Sequence, residues 1–402
     1  MAKQIPVSVN EIEEYFESLE DPRSDINQKH PFVSVIVIAV MAVLAGAGGP
    51  TAIATWASDR VGFLSQHLSL PNGLPKKDVF LRVLSTLRPE AFQACFFAWL
   101  ESLRARAEEE TEVSQPILNV DGKTLRGTSD RKNGLGALHS VSVWAADFGM
   151  TLAQTACDEK SNEITAIPAV LKLVHTQGAI ITIDAMGTQT AIAEQIVDSD
   201  ADYVLALKGN QEGLYQSVVA YVSRQMENDF KGTGARRHVT KETAHGREET
   251  RHYLQMPVPA DLPGQERWKG LRTIGVAMLT CVRDGKETCE TRYFISSLPV
   301  GVKLFARAVR SHWSIENSCH WSLDFIDRED ELRIRDKFPR ENFAWLNRFT
   351  LSLLKQHPAK MSQVMQRRRC GWSDKFLLEV LLQNDFVIAG PGNQAQREKR
   401  TI

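Results

Sequence analysis

The stretch Gly178-Ala-Ile-Ile-Thr-Ile-Asp-Ala-Met-Gly187 constrains the fold more than any other part of the chain. Residues 179–183 run apolar or β-branched straight into the carboxylate of Asp184. A continuous run of this kind, with no alternation, predicts a strand buried on both faces, and such strands belong to sheets covered by helices. Asp184 then stands at the strand's C-terminal end, where open α/β sheets hold their chemistry. Gly187 predicts a tight exit, and Thr188–Val197 a helix with a hydroxyl near its start as an N-cap. An aspartate placed there also serves simply as the cap of the next helix. Its role is decided by the rest of the chain.

Residues 116–215 supply the surroundings of that strand. Pro116–Val120 predicts a short strand ending in Asp121-Gly-Lys. His139–Ala146 and Met150–Cys157 predict a hairpin turning near Asp147-Phe-Gly149. A helix follows over Ser161–Val174, its start drawn toward Pro168 because a proline interrupts a helix interior. Asp202–Leu207 predicts the next strand, ahead of Lys208. The order β-β-β-α-β-α-β-α is the layout of a ribonuclease-H-like core. There the first strand lies beside the fourth, so Asp121 and Asp184, 63 positions apart, fall on neighbouring strand ends.

With 402 residues, the chain is long enough for two or three domains. The expected division is a helical N-terminal domain with an acidic linker over 1–112, core over 113–229, a β-rich insertion over 230–299, and the rest of the core over 300–402. The six cysteines are scattered without a close pair, which argues against a disulfide framework or a cysteine zinc site. The N-terminus lacks the apolar core of a signal peptide. Phe32–Gly49 is apolar but short for a membrane span and predicts a buried helix. Amphipathic Val9–Leu19 stops at Asp21-Pro22, and Glu108–Glu112 predicts a solvated linker.

Three further segments, at 245–254, 271–283 and 290–298, read as strands carrying Arg247, Arg251, Arg283 and Arg292. Val302–Asp324 then predicts one strong helix holding Glu316 among Trp313, Ile315 and Trp321. A glutamate buried among such groups requires a partner or a metal. His312, Glu316 and His320 fall at i, i+4 and i+8 and form a weaker, alternative ligand set. Beyond them the charge splits. Residues 316–332 hold six acids and one arginine, and residues 333–369 hold ten Lys/Arg and two acids. A net charge of −1 therefore conceals a local basic stretch of the kind that attracts a polyanion.

Phosphodiester chemistry requires an activated oxygen nucleophile and a stabilised leaving oxygen, which two divalent ions about 4 Å apart can provide. Hard cations require carboxylate oxygens converging from different elements. Asp121, Asp184 and Glu316 meet that need and are expected to converge within reach of one or two ions. No Gly-rich phosphate loop, Ser-His-Asp order or dinucleotide fingerprint competes with them.

Several strings resemble one family. Asn119-Val-Asp-Gly-Lys-Thr-Leu-Arg-Gly, Ile181-Thr-Ile-Asp-Ala-Met-Gly-Thr-Gln, Asp202-Tyr-Val-Leu-Ala-Leu-Lys-Gly-Asn-Gln, His245-Gly-Arg, Arg292-Tyr-Phe-Ile-Ser-Ser-Leu and His312-Trp-Ser-Ile-Glu-Asn are similar to the ISAs-type insertion-sequence transposases, or H-repeat-associated proteins. Leu19-Glu-Asp-Pro-Arg and Ala39–Ala47 resemble that family's N-terminal domain. The resemblance implies a bacterial DDE transposase with Asp121, Asp184 and Glu316 as catalytic and metal-binding triad. It implies Mg²⁺, with Mn²⁺ as a substitute, and cleavage and joining of the element's terminal inverted repeats to target DNA by a homodimer in the cytoplasm, at the nucleoid. The DNA-contacting residues expected are Lys123, Arg126, Lys208, Arg247, Arg310, His312, Asn317, Arg333, Arg335 and Arg340. Many DDE relatives carry Tyr and Arg before the Glu and Lys after it. Those places here hold Val309, His312 and Leu323, with Arg310 or His312 as stand-ins. The other readings are a catalytically inactive DNA-binding descendant and, more distantly, a metal-dependent nuclease without joining activity.

Overall fold

The computed structural model describes residues 14–24, 28–110, 115–130, 132, 134–157, 163–244 and 246–382. The start of the amphipathic segment from Val9, Glu112 of the acidic run and His245 lie outside the described residues. The chain forms two compact units. One gathers Ser114–Gly122 and Ser161–Glu316, and the other gathers Met1–Val113, Lys123–Lys160 and Asn317–Ile402.

The first unit is built on a mixed sheet. Strand β1 (Ile117–Leu125) belongs to it through Gly122. Strands β4 (Ile180–Ile183) and β5 (Asp202–Leu207) follow, and β4 pairs in parallel with both β1 and β5. All four residues of β4 are buried, as its unbroken run of β-branched side chains requires. Helices Glu163–Leu171, Thr190–Asp198 and Glu212–Glu227 connect these strands and follow β5. Pro168 lies inside the first of them, so that helix does not wait for the proline to begin. The hydroxyl of Thr188 does not cap the second. It donates to the carbonyls of Asp184 and Ala206, and the N-cap position falls to Gln189 without a side-chain cap.

The β-rich segment extends this same sheet. Strand β9 (Lys286–Ser296) pairs antiparallel with β5, and β8 (Thr273–Arg283), β7 (Arg247–Pro257) and β6 (Arg236–Ala244) continue outward in that order. The sequence pattern misses β6. That strand is an exposed edge rich in Arg, Lys and Glu, charged as solvent-facing edges are. Helix Val302–Ser314 covers one face, where Phe305, Ala308 and Val309 share a core with Ile117, Ile180, Val204 and Phe294. Phe305 packs on Gly275 so closely that a Cβ there would collide with its ring.

The second unit holds the hairpin β2 (Leu138–Ala145) and β3 (Met150–Cys157), turning through Gly149 in the left-handed region as expected. Phe32–Leu44 is a helix buried almost all round, and no helix among the described residues is long and apolar enough to cross a membrane. Helix Pro89–Glu110 carries through the first acids of the run read as a linker. Its Phe96 and Trp99 pack on Phe349 of helix Lys337–Gln356, with ring centroids 4.2 and 4.7 Å apart.

Candidate functional site

The register between β1 and β4 sets the site. Ile117 through Val120 pair with Ile180 through Ile183, so Asp121 and Asp184 are the next residues on each strand. Neighbouring strands lie about 4.8 Å apart, which places the two carboxylates side by side on one row. Asp121 does not end its strand, because β1 runs on to Leu125; it follows the last β1–β4 pair. Its Oδ1 accepts from Gly122 N at 2.9 Å, and Asp184 Oδ1 accepts from Gly187 N at 3.2 Å. Asp184 thus holds its own turn but caps no helix. Gly187 is needed for closeness, since a Cβ there would collide with Ile183 and Ile167.

The third carboxylate comes from a helix that changes pitch. The regular helix ends at Ser314, and Ile315–His320 continue as a π-turn, a local widening often found at functional positions. Ile315 is buried, whereas Glu316 and Asn317 are exposed. The single straight helix expected over this segment is therefore interrupted at the glutamate. Glu316 lies at the surface instead of buried among apolar groups.

The electrostatics tie the three acids together. Burial pushes the Asp121 carboxyl up to about 7; the charges of Asp184, Glu316 and Glu163 push the same way, against the hydrogen bond from Gly122. Glu163, in the first turn of its helix and buried, belongs to this acidic neighbourhood. The sequence marks it only as a helix-start acid, although a glutamate beside the core face of Ile167 and Val170 is the signal that could have found it.

Among the described residues, no three Asp, Glu, His or Cys side chains stand close enough to hold a metal ion as placed. The carboxylates feel one another's charge without closing into a ligand cage, and three like charges repel until a cation neutralises them. The donor set still fits a hard divalent ion: oxygen ligands from two strands and one helix, with a raised Asp121 pKa that a cation would relieve. The alternative set of His312, Glu316 and His320 is not assembled either. His312 Nδ1 bonds Thr182 Oγ1 at 2.9 Å, and burial, then Arg292, lowers its pKa to about 4.

The residues expected to meet DNA divide by exposure. Arg126, Lys208, Arg247, Arg310, Asn317, Arg333 and Arg335 are exposed. Of these, Arg247 pairs with Glu249 at 2.9 Å and Arg310 with Glu242 at 3.3 Å. Three others require correction. Lys123 is buried and its Nζ bonds Asp324 Oδ1 at 2.5 Å. Arg340 is buried and donates to Gly136 O at 2.9 Å. His312 is turned toward Thr182. Part of the split of acids and bases beyond Glu316 is internal pairing. Arg348 and Glu329, both fully buried, meet at 2.7 Å, and Arg367 pairs with Asp327.

A family model described as "Transposase DDE domain" matches residues 113–354, and one described as "DDE_Tnp_1-associated" matches residues 13–100. The chain belongs to the DDE transposase family, in the branch of H repeat-associated transposases. It is 34% identical to "Putative transposase YncI" of Escherichia coli O157:H7, over 93% of this chain and 95% of that one. It is 30% identical to "H repeat-associated putative transposase YhhI" of Escherichia coli (strain K12), over 94% and 98%. A piggyBac transposase synaptic complex with hairpin DNA gives a TM-score of 0.37 at 9% identity, covering 99% of this chain and 87% of that one, too low to bear on the fold.

Proposed function

We propose that this chain is an active bacterial DDE transposase that cuts and joins the ends of its own insertion sequence. Asp121, Asp184 and Glu316 act as its metal-binding catalytic triad. The observation that carries the reading is the β1–β4 register, which sets Asp121 level with Asp184, together with the rise in the Asp121 pKa to which Glu316 contributes. The strand order around that pair supports a ribonuclease-H-like core in residues 113–229 and 300–402, with residues 230–299 as its β insertion and 1–112 as an accessory helical domain.

When bound, Mg²⁺ or Mn²⁺ supplies an activated oxygen nucleophile and stabilisation of the leaving 3′ oxygen. The chain's own residues do the rest. The two aspartates orient from adjacent strands, and Glu316 closes from the π-turn at the surface. Lys208, at the end of β5, and Arg126, beyond β1, offer exposed cations for phosphates. The partners are the terminal inverted repeats and the target DNA, engaged by a homodimer in the bacterial cytoplasm.

The rival reading is an inactive DNA-binding descendant. Cleavage by the wild type separates the two, and Asp184→Asn ties that cleavage to the triad, because it removes a ligand but no positive surface. The variant is incubated in Mg²⁺ with a duplex carrying the DNA that borders the coding sequence, and broken strands are mapped. Cleavage should disappear while binding in a mobility-shift assay stays within about twofold, less than about 0.5 kcal/mol. A variant that still cuts at the same positions would remove Asp184 from the site.

A further inference from the structure

Beneath the three carboxylates lies a row of polar side chains that the reaction does not use directly. On a strand, residues two apart share a face. Asn119 is therefore on the face of Asp121, and Thr182 on that of Asp184, and the two are register partners just as the aspartates are neighbours. Both are buried, at 0% and 2% exposure, and are the only polar residues among the paired positions 117–120 and 180–183.

They bond to the helix that leads to Glu316. Asn119 Nδ2 donates to the carbonyl of Ser311 at 2.7 Å, to Ser311 Oγ at 3.1 Å and to Ser314 Oγ at 3.4 Å. Because the amide must donate to a carbonyl, its orientation is fixed, and Asn119 Oδ1 is the acceptor. Thr182 Oγ1 gives its one proton to that oxygen at 2.7 Å. His312 Nδ1, 2.9 Å from the same hydroxyl, is then the donor of its pair.

The spacing of the two elements matches row by row. One row below, Ile117 and Ile180 share a core with Ala308. The next row pairs Asn119 and Thr182 with Ser311 and His312. The third carries Asp121 and Asp184, and four residues beyond His312 the helix reaches Glu316. Two strand residues rise about 6.6 Å and four helix residues about 6 Å, so the steps stay nearly in phase. Apolar contacts alone allow a helix to slide or rotate; a hydrogen-bonded row anchored in the buried strand side chains does not, since a shift leaves donors unpaired.

We infer that Asn119, Thr182 and His312 are positioning residues, a hydrogen-bonded clamp that sets the register of Glu316 against Asp121 and Asp184. The inference rests on the triad reading and adds to it a specific dependence of cleavage on groups that touch neither metal nor DNA. The clamp acts on the last regular turn of the helix, immediately before the π-turn that presents the glutamate.

The test uses the full chain and a duplex carrying the DNA that borders the coding sequence, with Mg²⁺, at a temperature well below the melting transition. Thr182→Val keeps the shape and removes the hydroxyl; Thr182→Ser keeps the hydroxyl and removes a methyl. Cleavage at saturating protein should fall about 10–100-fold in Thr182→Val, the cost of a misplacement near 1 Å. Binding to the duplex should not change, and Thr182→Ser should recover most of the rate despite its smaller side chain. His312→Leu and His312→Asn repeat the comparison from the helix side, the Asn amide replacing the Nδ1 donor, and carry the test if Thr182→Val does not fold. Wild-type cleavage by folded Thr182→Val and His312→Leu would overturn the clamp, as would a fall in rate that tracks melting temperature across all four variants. Asp184→Asn is the control. If it cuts normally, the triad reading fails; if it is inactive while the clamp variants cut normally, only the clamp fails.

Discussion

Asp121 carries the clearest single-residue consequence. Its carboxyl is pushed from 3.8 up to about 7, first by burial and then by Asp184. The fold therefore favours the protonated group. That contribution to stability is fully present below about pH 3.8 and is lost as pH rises through about 7. Asp121→Asn removes the penalty. Without divalent cations, it should be more stable than wild type above pH 7, by about 1–2 kcal/mol once partial exposure is allowed for, read as a higher melting temperature. The margin should close between pH 7 and 4, and a constant margin across that range would show that charge is not its cause. At this scale Asp121 and Asp184 were legible because each carboxylate ends a buried apolar run. Asn119 and Thr182 carried the same kind of signal, polar residues inside those runs, but their partners on the helix lie 192 and 130 positions away. Local pattern cannot pair groups so separated. Lys123 and Arg340 misled for the converse reason: a basic residue looks the same in sequence whether it faces solvent or, like these two, a partner within the fold.

Among the elements, the helix before Glu316 and the sheet beneath it depend on one close approach. Gly275 lies against the ring of Phe305, and any Cβ would have to displace it. Gly275→Ala should cost about 1–3 kcal/mol by denaturant unfolding, the usual penalty of overpacking, and should lower cleavage because the same helix carries Glu316. Reduced stability with wild-type cleavage would mean that the helix position does not matter to the site. Strand β4 and the hairpin were legible from apolar runs and turn residues. Strand β6 was not, because an exposed, charged edge lacks the apolar alternation that identifies a strand. The π-turn was not legible either: Ser-Ile-Glu-Asn has no breaker, and the burial of Ile315 and Cys319 within the turn does not show in local sequence.

For the whole molecule, a net charge of −1 leaves DNA binding to local surfaces. Internal pairing consumes Arg348 and Arg367 but leaves Arg333 and Arg335 exposed. Neutralising both should lower the slope of log K against log salt by about 0.9 for each phosphate that the variant no longer neutralises, without changing the melting temperature. An unchanged slope would move the main phosphate contacts to the exposed cations Lys208 and Arg247. On the proposed reading, three carboxylates from two strands and a π-turn form one metal centre. Mn²⁺ titration followed by electron paramagnetic resonance tests it most directly, using the folded chain and its Asp121→Asn, Asp184→Asn and Glu316→Gln variants. The wild type should bind Mn²⁺, and each variant should bind at least about tenfold more weakly, about 1.4 kcal/mol. Wild-type affinity in Glu316→Gln, with binding abolished in both aspartate variants, would contradict a three-carboxylate centre and leave Glu316 outside it.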